Sequence, residues 1–149
     1  MPRIEYYKEL NKDFKMLHKL IDDEYYERFG ESYLKYQPFN ALDGIEDFFV
    51  AYSEDKPIAC GCLRRITKEI AELKRVFVLP EYRRMGVANL LVDCCEETIK
   101  KQNVICIRLE TGVVMHEAIQ LYKKRNYSIV ENYGDFVGDE LCCCMEKKL

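Results

Sequence analysis

A mixed α/β domain built on a mainly antiparallel sheet is the fold class this sequence predicts, and three observations predict it. Three strand-like runs joined by short hairpin turns follow one another between residues 47 and 79. The third run passes through a glycine-containing turn into a helical pattern. Another apolar run at 104–109 follows that helix, and a strand, a crossover helix and a strand make a parallel pair. The chain has 149 residues, enough for one domain with a real core. Its 48% hydrophobic and 33% charged content is that of a globular protein and excludes intrinsic disorder.

Each element has a local reason. Residues 3–7 alternate as a first strand. Asn11 or Asp13 caps a helix whose buried face is Phe14, Leu17, His18, Ile21 and Tyr25, and Gly30 ends it. His18 reads as a half-buried partner on that helix rather than a base. Residues 31–45 have no clear period and hold Tyr33, Tyr36, Pro38 and Asp43. An irregular insertion of this length is either a substrate-side loop with a short helix or a plain surface connection. Strands follow at 47–53, 58–66 and 70–79, with turns at 54–57 and 67–69 and a bulge or close approach at Gly61. In the last of these strands Glu72 and Lys74 share a face with the apolar Val76 and Val78, which implies a break in register between the two pairs. The helix from Val87 ends near Gln102–Asn103. The 104–109 strand leads through Glu110-Thr111-Gly112 to a helix at 115–125. Asn126 sits where a left-handed cap is common. Final strands at 127–131 and 141–145 flank an aromatic, acidic turn.

The stretch from Ala71 to Val92 carries the clearest chemistry. Val76, Phe77, Val78 and Leu79 form a strand that Pro80 ends, and Val87, Leu90, Leu91 and Cys95 repeat at helical spacing. Between them lies Arg83-Arg84-Met85-Gly86-Val87-Ala88. A strand that turns into a helix through small residues gathers backbone N–H groups at the positive end of a helix dipole, which suits a phosphate or pyrophosphate. The chain has neither GxxxxGK[ST] nor GxGxxG, so this is no P-loop or Rossmann turn.

Composition narrows the partners. A net charge of −3 argues against general nucleic-acid binding, while Lys74, Arg75, Arg83 and Arg84 gather locally, as a small polyanion requires. No apolar run is long enough to span a bilayer, and the polar N-terminus does not read as a signal peptide, so a cytoplasmic protein is expected. The eight cysteines fall in strand and helix patterns rather than in paired loop positions. They read as buried free thiols in a reducing compartment, without metal. A nucleophilic cysteine lacks a histidine base near it in the sequence.

The turn resembles the pyrophosphate loop of the GNAT superfamily of N-acetyltransferases, Gln/Arg-x-x-Gly-x-Gly/Ala, here Arg83-x-x-Gly86-x-Ala88 after Val78-x-Pro80-x-Tyr82. A second family pattern, Asn-x-x-Ala-x-x-Leu-Tyr-x-x-x-Gly-Phe, is matched at Ala118, Leu121 and Tyr122. Met115 stands in place of the Asn, and Asn126-Tyr127 in place of Gly-Phe. The resemblance runs over nearly the whole chain as a single domain, 1–149. It implies a GNAT-like sheet with helices on both faces and a splayed parallel strand pair. It further implies acetyl transfer from acetyl-CoA to an amine, with a small-molecule acceptor. The cofactor would lie on Val76, Phe77, Val78 and the turn Arg83, Arg84, Met85, Gly86, Val87 and Ala88. Glu72 is the implied general base, with Glu110 as the alternative carboxylate and a salt bridge to Lys74 or Arg65 as its plain structural role. Tyr122 is the implied general acid, or else a core aromatic. Tyr33, Tyr36, Glu110 and Tyr133 are candidate acceptor contacts, and acidic and tyrosine residues there suit a cationic acceptor. A homodimer is common in such domains. The alternative function is an acetyl-CoA sensor of the same fold without turnover, which the replacement at Met115 favours.

Overall fold

A computed structural model describes residues 1–149. Strands β1 (Arg3–Tyr7), β2 (Asp47–Ser53), β3 (Lys56–Arg65), β4 (Ile70–Val78), β5 (Cys106–Gly112), β6 (Ser128–Val130) and β7 (Cys142–Lys148) form one sheet in the order β1-β2-β3-β4-β5-β7-β6. Every neighbouring pair is antiparallel except β4 and β5, which are parallel. Helices α1 (Lys12–Phe29), α2 (Val87–Lys100) and α3 (His116–Lys124) complete the domain, with two short 3₁₀ turns, Gly30–Lys35 and Gln37–Asn40, following α1.

Local chemistry sets most boundaries where the sequence places them. The Asn11 side chain accepts from the Phe14 N–H at 2.8 Å and caps α1, and Gly30 closes it at φ 65°. Asn126 adopts φ 71°, the left-handed conformation expected there. Several boundaries move, among them the end of the last strand, which runs on to Lys148. The β2–β3 turn shrinks to Glu54-Asp55, because Ser53 already pairs with Lys56. Strand β5 runs on past Leu109 because Glu110, Thr111 and Gly112 pair with Cys144, Cys143 and Cys142 of β7. Tyr127 lies just before β6, buried against Tyr122 with ring centroids 5.4 Å apart.

Strand alternation assigns the two faces. Phe48 meets Phe14 of α1 edge-on at 4.9 Å, while Gly61, opposite the next residue Phe49, lies under Leu91 of α2. The two helices therefore cover opposite faces, and most buried side chains join in one cluster of 30 residues. A Cβ on Gly61 would stand 3.4 Å from Val76 and 3.5 Å from Leu91, so the absence of a side chain lets helix and sheet close together.

The expected register break is a β-bulge. On β3 the pairing advances from Cys60 to Cys62 while on β4 it passes from Phe77 to Lys74, leaving one extra residue on β4. Arg75 takes that place at φ 57°. Glu72 and Lys74 consequently face α1, whereas Val76 lies beneath α2. Strand β5 follows β4 only through Ile70, Ala71 and Glu72, after which the two strands part. The parting leaves a cleft in the middle of the sheet, open on the α1 face.

Candidate active site

The cleft between β4 and β5 widens into a cavity of about 380 Å3. Its walls come from α1, the 3₁₀ turns, β4 at Glu72–Val76, β5 at Leu109–Gly112, the following turn and α3. Glu72, Glu110, Tyr33, Tyr36, Val76 and Tyr122 all reach it, although they lie far apart in the chain.

The two carboxylates in this cavity have different surroundings. Glu72 is buried, its Oε2 accepts from the Tyr133 hydroxyl at 2.5 Å, and its Oε1 lies 3.4 Å from the Lys74 ammonium. Both of its oxygens are thus engaged. The pairing with Lys74 is the one named as its structural role; Arg65 instead bonds Asp47 at 3.2 Å. Glu110 has no ion-pair partner in contact, and the Cys142 thiol beside it favours its charged form. Burial pushes its carboxyl up to about 7, and Cys142 and Lys74 pull it only part of the way back. A half-buried carboxyl with that affinity for protons can exchange one near neutral pH.

Tyr122 lines the cavity from α3, and burial pushes its phenol well above the ordinary value, so the hydroxyl stays protonated. The remaining tyrosines differ in role. Tyr33 donates to Asp22 at 2.6 Å and Tyr36 to Asp139 at 2.8 Å, so each turns its ring rather than a free hydroxyl to the cavity. Tyr133 stands behind Glu72 and does not form the wall. Asp43 is exposed and lies outside the cavity.

The local cluster of basic residues does not assemble. Lys74 is 8% exposed and pairs with Glu72. Arg75 is 3% exposed, with Nη2 2.6 Å from Asp22, Nη1 3.1 Å from the Tyr33 hydroxyl and Nε 3.1 Å from His18 Nδ1. Neighbours in sequence on a strand at a bulge both turn inward, where each needs its own counter-charge. His18 is the half-buried partner expected, and burial lowers its affinity for a proton. Sequence reasoning missed Asp22 and the aromatic wall of Tyr25 and Phe29. The i, i+4 spacing of Tyr25 and Phe29 on α1 was the available signal.

The turn before α2 is built from backbone. Arg84 and Gly86 both adopt left-handed angles, φ 63° and 78°, and Gly86 caps α2. The N–H groups from Arg84 to Asn89 donate to no acceptor in the protein. Such a run of outward-facing donors at a helix start is an anion nest. Arg84, Met85 and Gly86 are exposed, Val87 is buried, and Ala88 is half-buried. Arg83 is less free than its charge implies: its guanidinium donates to the Val78 carbonyl at 2.8 Å and to both oxygens of Glu24, at 2.9 and 3.2 Å. It ties the turn to β4 and α1.

A family model described as the acetyltransferase (GNAT) family matches residues 14–127, which includes the nest, both carboxylates and Tyr122. The chain belongs to the GNAT acetyltransferase family. An IAA acetyltransferase of Azospirillum brasilense is 30% identical over 103 residues, covering 68% of this chain and 67% of that protein. An uncharacterized N-acetyltransferase of Chlorobaculum tepidum is 32% identical over 92 residues, covering 58% of this chain and 59% of its own length. The chain thus spans about three fifths to two thirds of these relatives. In fold, this GNAT domain is similar to the PaiA N-acetyltransferase of Thermoplasma acidophilum, solved with coenzyme A. The TM-score is 0.74 at 21% identity, with 99% of each chain covered. No helix is long and apolar enough to cross a membrane.

Proposed function

We propose that this GNAT domain transfers the acetyl group of acetyl-CoA to a primary amine, with Glu110 as general base. The single observation that carries the reading is the cleft that joins two unmet needs: an edge of β4 without its ladder partner after Glu72, and an uncompensated carboxyl on β5 facing it. The coenzyme A complex of the Thermoplasma relative supports the choice of cosubstrate. The open edge of β4 at Val76–Val78 suits the amide-bearing pantetheine arm as an added strand, and the nest from Arg84 to Asn89 suits its pyrophosphate. Acetyl-CoA supplies the thioester carbonyl that the amine attacks.

The acceptor arrives as an ammonium and must lose a proton before it can attack. Glu110 removes that proton from nitrogen and becomes neutral, a state its buried site already favours near pH 7. Glu72 is held between Tyr133 and Lys74 and pairs with the lysine, so it is not free to face the acceptor. As the C–S bond breaks, Tyr122 gives its proton to the departing thiolate, and the second proton that the nitrogen sheds on becoming an amide restores the phenol.

The test is a rate–pH profile on a single amine. Wild-type kcat/KM should rise as pH passes upward through about 7, where Glu110 loses its proton. Glu110→Gln should lose that limb and about 10²-fold in kcat/KM near pH 7.5, whereas Glu72→Gln should keep the limb. The reverse pattern would assign the base to Glu72, as its position on the strand first implied.

A further inference from the structure

Resting on the acetyl-transfer reading, we infer that the acceptor is a primary amine with an apolar, preferably aryl, body and no second charge. The cavity walls bear four charged side chains: Glu72, Lys74, Arg75 and Glu110. Three of them are already balanced. Lys74 and Glu72 neutralise each other at 3.4 Å, and Arg75 is neutralised by Asp22 at 2.6 Å. Glu110 alone has no counter-ion in contact, so the cavity can compensate one ammonium and nothing more. A second ammonium, as in a diamine, would lie against apolar walls without a partner. A carboxylate on the acceptor would find no free cation, because withdrawing Lys74 or Arg75 from its partner would strand a buried acid.

The walls themselves specify the body. Fifteen of the 23 lining residues are hydrophobic, so most of the acceptor's surface must be apolar too. On the α1 side Tyr25 packs edge-on against Phe29 at 6.1 Å and against Tyr33 at 5.4 Å, a stepped aromatic surface. The Tyr33 and Tyr36 hydroxyls are spent on Asp22 and Asp139, so polar groups on the acceptor body would meet rings. Across from them Val113, Val114 and Leu141 are apolar yet 38%, 49% and 60% exposed at the cavity rim. Exposed apolar side chains gathered at one rim mark an approach path for an apolar ligand.

The charge inventory makes a reversible prediction. Glu72→Gln keeps an acceptor for the Tyr133 hydroxyl but leaves Lys74 without its counter-ion, creating a place for a carboxylate. The experiment measures thiol release from acetyl-CoA with 2-phenylethylamine, phenylalanine and putrescine as probes, alongside calorimetry of CoA binding. Wild type should prefer 2-phenylethylamine over each of the others by at least 100-fold in kcat/KM. In Glu72→Gln the ratio of phenylalanine to 2-phenylethylamine should rise at least tenfold. Turnover of phenylalanine or putrescine by wild type at or above the rate of 2-phenylethylamine overturns the inference and leaves acetyl transfer standing. CoA binding with no thiol release from any of the three also overturns the inference, and favours binding without turnover. A folded Glu72→Gln protein with an unchanged ratio removes the charge argument. No CoA binding at all removes the acetyl-transfer reading itself.

Discussion

The anion nest before α2 and the cavity between β4 and β5 serve the same proposed reaction but are encoded in different ways. The nest is local. Its donors are six consecutive N–H groups, and two left-handed residues, Arg84 and Gly86, aim them. A short motif suffices to specify it, and side chains contribute little. The cavity is assembled from elements separated by up to about 120 residues, Ile21 to Cys142, and its properties depend on which charges meet which partners. Two carboxylates in one cavity differ: Glu72 is ion-paired with Lys74, while burial pushes Glu110 toward its neutral form with no ion-pair partner in contact. A backbone site is thus read from sequence spacing, while a side-chain site is read only once the fold is known.

The largest effect should come from the cavity's most remote support. Asp22→Ala leaves the Arg75 guanidinium buried with only the neutral partners His18 and Tyr33. Removing one member of a buried pair costs about 3–5 kcal/mol, or roughly 10 °C in Tm for a domain of this size. The bulge gives a second reason. A non-glycine residue at φ 57° carries about 1–2 kcal/mol of strain, which the ion pair offsets. Thermal melts should therefore show a large drop, with the amine KM rising in the folded protein. A melt within 2 °C of wild type, on the order of 0.5 kcal/mol, would show that Arg75 is held by something other than Asp22.

Next in size is the nest. Gly86→Asp should weaken CoA binding about 100-fold, some 3 kcal/mol, by placing a carboxylate among the donors. Nothing lies within 4 Å of a Cβ built on Gly86, so bulk is not the cause. Gly86→Asn tolerates the left-handed angle and adds no charge, so it should stay within about fivefold of wild type. Calorimetry on the pair sharpens the contrast between regions. Equal losses would mean that backbone angle rather than charge controls the nest, and no loss in either would place the pyrophosphate elsewhere.

The difference between the regions also explains what was legible in the sequence. The chain order of the elements, the caps at Asn11 and Gly30, the bulge, and the donor turn all follow from patterns spanning a few residues, whereas the place of β7 between β5 and β6 does not. The bulge was visible because Glu72 and Lys74 could not share an environment with Val76 and Val78. The supposed basic cluster failed for the complementary reason. Lys74 and Arg75 are adjacent in sequence, but their counter-ions are Glu72 and, 53 residues away on α1, Asp22. Choosing between Glu72 and Glu110 required knowing that Tyr133 folds back over the first and leaves the second alone. No spacing rule carries that information.

The smallest effect tests the residue whose two readings are hardest to separate. Tyr122 packs edge-on against Tyr127 at 5.4 Å, which is a structural role, and its hydroxyl lines the cavity without a hydrogen-bond partner, which is a chemical opportunity. Tyr122→Phe keeps the ring and removes only the hydroxyl. Packing should survive, so the melting temperature and CoA affinity should not move. If the hydroxyl delivers the proton to the leaving thiolate, kcat should fall about tenfold, roughly 1.4 kcal/mol, with little change in the amine KM. The loss should be greatest for weakly nucleophilic amines, whose reaction depends most on departure of the thiolate. It should also show no limb of its own below pH 9, because burial keeps the phenol protonated throughout that range. An unchanged kcat would make Tyr122 a wall residue, and catalysis would then rest on Glu110, positioning and carbonyl polarisation along β4.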